Sequence, residues 1–395
     1  MTTTRTTFEE FLAWLEDSRT RGQVHFDEKQ RCWHVLGHPE TNAILADPAA
    51  FSSDLTALQP AQDDLELFQR GNFVRMDPPQ HRKLRTLVSQ AFTPRVVAGL
   101  EPRIAALTTE LLDGVGERFD LVDALAYPLP VIVIAELLGI PTADQALFRK
   151  WADVLLSQEV DPDQSLAEAS GKALEAVAPT MREMNAYFLD YIRSRRADPG
   201  DDLTSRLVQA EVDGERLADE EIIGFVGLLL IAGHITTTAT LGNSVVTFQE
   251  NPDALAEIRT DPTLLPAAIE EVLRVRTPFP RLARLAKVDT EVGGVRIPAG
   301  QLVMPWLTAA NRDERVFAEP NRFDIHRKPN PHLTFGHGIH FCLGAPLARL
   351  EARVALRMLL QRFRDLEVPT DERVEFRSPW TMVAVVRLPL EVHAA

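Results

Sequence analysis

The sequence predicts a mainly α protein with small β-sheets (α+β), and three observations carry that prediction. From Pro78 to about Glu250 the pattern is mostly helical, broken by turns at Asp198-Pro-Gly-Asp-Asp and Val212-Asp-Gly-Glu. The longest apolar run, Ile222 to Gly233, lies inside a segment free of proline, as expected of a helix buried on all sides. Strand-like segments are short and gather around residues 20–36, 280–310 and 370–393.

Val24–Phe26 and Cys32–Leu36 flank the polar Asp27–Arg31 and predict a hairpin. His38-Pro39 opens a helix expected over 38–50. The stretch Asp54–Met76 has weak periodicity, and a loop of that length is usually functional. Leu84, Leu87, Val88, Ala91 and Phe92 then mark a helical face, as do Ile104, Leu107, Leu111 and Leu112. The strongest helix is expected from Asp219, a plausible N-cap, to Glu250 before Asn251-Pro252. At 1.5 Å per residue it would be about 48 Å long, enough to cross a domain. A further helix is expected over Pro266–Arg276, then two strands within 291–307 around Pro298-Ala-Gly-Gln. Pro346 opens a last helix, Leu347–Phe363, and Val383–Val392 predicts more β structure.

With 395 residues and no repeat, low-complexity tract or Gly/Ser linker, the expectation is a single domain over 1–395. Two cysteines, Cys32 and Cys342, cannot build a disulfide framework. The 42 Lys+Arg against 57 Asp+Glu leave a net charge of −15, which argues against a nucleic-acid partner. No apolar run reaches the ~18–20 residues that span a bilayer, nor is there a signal-peptide core. The expected location is the cytoplasm.

The informative segment is Phe335-Gly336-His337-Gly338-Ile339-His340-Phe341-Cys342-Leu343-Gly344. It sets one cysteine in a glycine-rich loop just ahead of a helix. Helix-end N–H groups favour a thiolate, and glycines let a flat ligand approach the backbone closely. A free cysteine is also commonly a small core residue, and His332, His337 and His340 with Cys342 raise a zinc site, although neither usual zinc spacing is present.

Phe335, Gly338, Cys342 and Gly344 match Phe-x-x-Gly-x-x-x-Cys-x-Gly, and the segment resembles the haem-binding loop of the cytochrome P450 superfamily. Other residues extend the resemblance. Glu271-Val-Leu-Arg274 matches the Glu-x-x-Arg pair, with Arg322 in Glu-Pro-Asn-Arg-Phe as the partner arginine of a structural clamp. His81 and Arg85, one helical turn apart, together with Arg284 and His340, correspond to haem propionate donors. Phe335 and Gly336 would complete the cofactor loop. Ala232-Gly233-His234-Ile235-Thr236-Thr237 resembles the distal helix, where Ala232 and Gly233 leave room for dioxygen and Thr236 is the oxygen-activating threonine. Ile235 stands where most members carry an acid, so proton delivery must use Thr236, water or a substrate hydroxyl.

The resemblance covers nearly the whole chain and is closest to macrolide-tailoring members of the erythromycin C-12 hydroxylase type. It implies a helix-rich body around a buried haem b, with Cys342 as the axial iron ligand. The implied activity is a monooxygenase hydroxylating a bulky natural product with O2 and two electrons from NAD(P)H, delivered by ferredoxin reductase and ferredoxin. Arg82, Lys83, Arg349 and Arg353 would form the docking patch. Leu65, Phe73, Val74, Leu229, Phe279 and Leu282 are apolar candidates for a macrolide-sized pocket, and Asp63, Asp64 and Glu66 for an amino sugar. An oxidative coupling or ring-forming enzyme and a non-catalytic haem sensor are the alternatives.

Overall fold

The computed structural model describes residues 7–56, 69–156, 166–212 and 214–394. Its helices include α1 (Phe8–Thr20), α2 (His38–Ala46), α3 (Gln80–Ala91), α4 (Glu101–Asp113), α5 (Asp219–Glu250), α6 (Leu265–Val275) and α7 (Ala345–Arg362), besides a 32-residue helix over Leu166–Ala197. The larger sheet is built from β1 (Val24–Asp27), β2 (Cys32–Val35), β3 (Phe51–Ser52), β4 (Arg284–Ala286) and β5 (Leu302–Pro305). The fold class is the helix-rich, small-sheet arrangement expected.

The chain packs as two units. The first comprises residues 1–51, 100–129 and 236–395, and the second 52–99 and 130–235. The first unit holds the sheet, in the order β1-β2-β5-β4-β3. β1 and β2 form the antiparallel hairpin, while β5 joins β2 in parallel, with Val303 opposite Trp33. Val24, Val35, Ile44, Phe51, Ala286, Ile297 and Val303 make one core cluster there. A second gathers Phe11, Leu15, Leu36 and Trp306, with Trp14 and Trp380 packed edge-on at 4.5 Å between ring centroids. The second unit is helical, its core anchored by Phe148, Trp151 and Phe188, all fully buried.

Three local expectations are corrected. α2 stops at Ala46 rather than 50, because Pro48 follows and the Asp47 carboxylate instead accepts from the N–H groups of Ala49 and Ala50. The segment 291–307 contains parts of three strands, not two. Gly293 and Gly294, with φ of +57° and +80°, turn Thr290–Val292 onto Val295–Ile297 as a separate hairpin, leaving β5 for the main sheet. The last helix begins two residues early, at Ala345, with Pro346 in its first turn.

α5 spans the predicted Asp219–Glu250. Among the described residues it is the one helix long and apolar enough to cross a bilayer, and 67% of its most apolar window is buried in the protein. Its C-terminal half is fastened by side-chain bonds: Asn243 Nδ2 donates to the carbonyls of Arg276 and Val383 at 3.2 and 2.8 Å.

Candidate active site

The two cysteines have opposite environments. Cys32 lies in β2 at 2% exposure, where burial pushes its thiol up to about 12 and makes it inert. Cys342 is exposed, which is unusual for a thiol. Its N–H donates to the Phe335 carbonyl at 2.9 Å, closing the loop onto itself ahead of α7. Gly336 and Gly338 adopt φ of +72° and +68°, which side-chain-bearing residues rarely do. Gly338 is also needed for space, since a Cβ there would stand 2.6 Å from the Leu45 carbonyl oxygen. At Gly344 the nearest atom to such a Cβ is the Cys342 sulfur, at 3.9 Å. The loop therefore presents a sulfur on a thin, close-fitting backbone.

Behind it lies the clamp. Glu271 and Arg274 are fully buried on α6, paired through Nε and Nη2 at 2.8 and 2.7 Å. The second arginine on Glu271 is Arg327, not the expected Arg322: Arg327 Nε donates to Oε1 at 3.0 Å. Arg322 sends its side chain outward to Glu319 and contributes only its carbonyl, which accepts from Arg274 Nη2 at 2.9 Å. Its i,i+3 neighbour Glu319 satisfies it locally at the surface, whereas Arg327 carries an 8% exposed side chain inward. Asp324 N and Asn330 Nδ2 complete the shell of donors around the carboxylate.

Glu270, next to that pair, went unnoticed in the sequence. Arg349 grips it with two bonds of 2.7 and 2.8 Å, and His332 Nε2 lies 3.0 Å from Oε2. Burial alone would push the Glu270 carboxyl up, but the hydrogen bonds from Arg349 and His332 and the Arg349 charge outweigh it and hold it down to about 2. His332, raised above as a zinc ligand, is engaged here instead.

Of the expected propionate donors in this unit, Arg284 is 8% exposed on β4, with Nη1 on the Ala283 carbonyl at 2.8 Å. His340 is half-buried and ends the single turn Gly338–His340. Leu282 is partly buried against Leu45, Leu307, Ala310 and Leu333, and Phe279 is exposed. In the second unit, His81 and Arg85 share one face of α3. Phe73 lies beside both, its ring 5.9 Å from the His81 ring and 5.7 Å from the Arg85 guanidinium. Burial, then the Arg85 charge, lowers the His81 pKa. Phe73 is itself 4% exposed and stacked on Phe225, so it buttresses these two side chains, whereas Val74 is exposed. Leu65, Asp63, Asp64 and Glu66 lie outside the described residues.

Along the middle of α5 the flanking residues Leu230, His234 and Thr237 are buried, yet Ala232 is exposed and Gly233 and Thr236 are half-exposed. Leu229, one turn earlier, is 9% exposed. A Cβ on Gly233 would come 2.9 Å from Ile134 Cδ1, so a larger residue there would have to push the end of the Ile134 side chain aside. The Thr236 carbonyl accepts the Thr240 hydroxyl at 2.7 Å. Glu351, on α7, is another residue the sequence did not single out. It is 1% exposed, and burial pushes its carboxyl up to about 8, against a hydrogen bond from Thr237.

The expected docking cations are largely committed to carboxylates. Besides Arg349, Arg353 pairs with Glu101 at 3.0 Å and Lys83 with Glu215 at 3.0 Å, while Arg82 is exposed.

An exposed thiol on a loop whose glycines keep the backbone low fits a large planar cofactor with a sulfur ligand. The sequence matches the profile of the family Cytochrome P450 over residues 24–394. It is 47% identical over 366 residues to erythromycin C-12 hydroxylase of Saccharopolyspora erythraea, covering 91% of this chain and 89% of that protein. It is 46% identical over 357 residues to cyclomarin C epoxidase CymV of Salinispora arenicola, covering 90% and 89%. The solved structure of a mutant of P450 EryK in complex with erythromycin B superposes with a TM-score of 0.90 at 44% identity, covering 100% of this chain and 99% of that one. Family membership implies haem iron, O2 and redox partners. The chain therefore belongs to the cytochrome P450 family and is a monooxygenase related to hydroxylases that tailor secondary metabolites.

Proposed function

We propose that residues 1–395 act as one haem-thiolate monooxygenase domain that hydroxylates a bulky natural product, a macrolide or related polyketide. The observation that carries this reading is the similarity, over nine-tenths of the chain, to an enzyme named for hydroxylating erythromycin. Cys342 would hold the iron, and His81, Arg85, Arg284 and His340 would hold the propionates. Bound haem supplies the oxidising chemistry, which a thiolate ligand favours by pushing electron density toward O–O cleavage. The protein's share is orientation, exclusion of water and proton supply.

Thr236 is the residue that would present a hydroxyl, or a water held by it, to dioxygen. Ile235 removes the carboxylate usually found beside it. Ala232 and Gly233 keep the helix surface low at the point where gas and substrate must meet. Val74, Leu229, Phe279 and Leu282, with Leu65, are the proposed apolar contacts for the substrate. Electrons would come from NAD(P)H through a reductase and a ferredoxin in the cytoplasm.

The experiment is a screen of macrolides for a substrate-induced spin-state shift, followed by turnover with a ferredoxin system. Hydroxylation adds one oxygen to the product mass. Loss of two hydrogens would support the oxidative-coupling alternative, which Ile235 favours, and no binding by any macrolide would contradict the substrate class.

A further inference from the structure

Arg349 was expected on the surface as a docking cation, and its side chain is 40% exposed, yet its guanidinium is already engaged. Its guanidinium is held by both oxygens of Glu270, at 2.7 and 2.8 Å. The plane so fixed lies 4.4 Å from the centroid of the Phe335 ring. Phe335 is the residue whose carbonyl accepts the Cys342 N–H at 2.9 Å. The Arg349 charge also interacts electrostatically with Cys342 itself. His332, whose side chain is 4% exposed, also bonds Glu270 at Oε2, the oxygen it shares with Arg349 Nη2. An arginine locked bidentately and stacked on an aromatic ring is a defined object, unlike a mobile surface lysine.

We propose that Glu270 and Arg349 are positioning residues for the thiolate loop: the pair braces Phe335 and holds a compensated positive charge beside Cys342, setting the reduction potential of the centre. This rests on the reading of Cys342 as axial ligand. A partner beyond the ligand commonly tunes a metal site through hydrogen bonding and local charge. A guanidinium near the sulfur draws electron density from it and favours the reduced centre, and the Glu270 carboxylate moderates that pull. Removing either partner should therefore move the potential, in opposite directions.

The test uses the haem-loaded, substrate-free enzyme and its Glu270→Gln, Arg349→Gln and Arg349→Lys variants. Spectroelectrochemistry gives the potential, and carbon monoxide difference spectra give the share of thiolate-ligated centre. The expected result is a higher potential for E270Q and a lower one for R349Q. R349K should keep the potential close to that of the native enzyme, yet convert sooner to the neutral-ligand band on warming, because lysine supplies charge without fork or stack. In a Phe335→Leu background the R349Q effect should shrink, since the brace has lost what it holds. Unmoved potentials, with only a salt-dependent rise in the KM for an acidic carrier in R349Q, would overturn the proposal in favour of docking. If the native reduced protein lacks the thiolate band altogether, the assignment of Cys342 falls and the inference falls with it. A native thiolate band with unchanged variants sinks the inference alone.

Discussion

Arg327 Nε lies 3.0 Å from Glu271 Oε1, which makes Arg327 the second arginine of the buried clamp while Arg322 faces solvent on Glu319. Truncating Arg327 leaves Glu271 paired with Arg274 but removes a charged donor from a buried carboxylate, a hydrogen bond worth about 1.5–3 kcal/mol. Arg327→Gln should therefore unfold at markedly lower denaturant and recover little haem. Arg322→Gln should stay within about 0.5 kcal/mol of the native protein, because its pair is exposed. Urea unfolding of the two variants checks this, and equal losses would contradict the assignment.

Gly338 combines a φ of +68° with a Cβ position 2.6 Å from the Leu45 carbonyl. Left-handed backbone costs a side-chain-bearing residue about 1–3 kcal/mol, and here the clash is with main chain that cannot rotate away. Gly338→Ala should displace the cysteine loop and sharply reduce haem retained on purification. Gly294→Ala is the control: its φ is also positive, +80°, but the space around it is open and it lies in a separate hairpin. That variant should lose some stability and keep its haem.

Thr236 directly follows Ile235 in the chain and carries a hydroxyl where Ile235 carries no acid. Thr236→Ala should bind haem and substrate as the native enzyme does, while product formation falls on the order of 10²-fold. Oxygen uptake should continue, so that reducing equivalents are spent without product. Turnover measured alongside oxygen consumption decides this. Unchanged coupling would show that the proton path avoids Thr236.

Glu351 gives a pH dependence with a definite sign. Its folded-state pKa, pushed up to about 8 by burial, lies above the ordinary 4.5. Between those values the unfolded chain has released a proton that the folded chain still holds. Stability thus declines as pH rises through that window, by at most about 1.4 kcal/mol per unit. Glu351→Gln should remove this slope and be the more stable form near the upper end of the window. Urea midpoints at several pH values test it, and parallel pH profiles for the two proteins would contradict it.

What could be read in the sequence was whatever is encoded locally. α5 was legible end to end because its apolar run is uninterrupted and its ends carry Asp219 and Asn251-Pro252. The Cys342 loop was legible because the chemistry and its glycines sit within ten residues. Arg327 was not, since Arg322 and Arg327 are equally plausible until the chain turns at Glu319. Glu270 and Glu351 were invisible for a related reason: a glutamate on a helix reads as solvated until neighbouring elements bury it. The strand count in 291–307 turned on two adjacent glycines that form a hairpin of their own.

The central claim is that Cys342 is the thiolate ligand of a haem, and the carbon monoxide difference spectrum of the reduced protein tests it most directly. The native protein should give the strongly red-shifted Soret band of a thiolate-ligated haem, which Cys342→Ser should lose and Cys32→Ser should keep. A native spectrum typical of a neutral axial ligand, or a thiolate band that survives in Cys342→Ser, would contradict the claim.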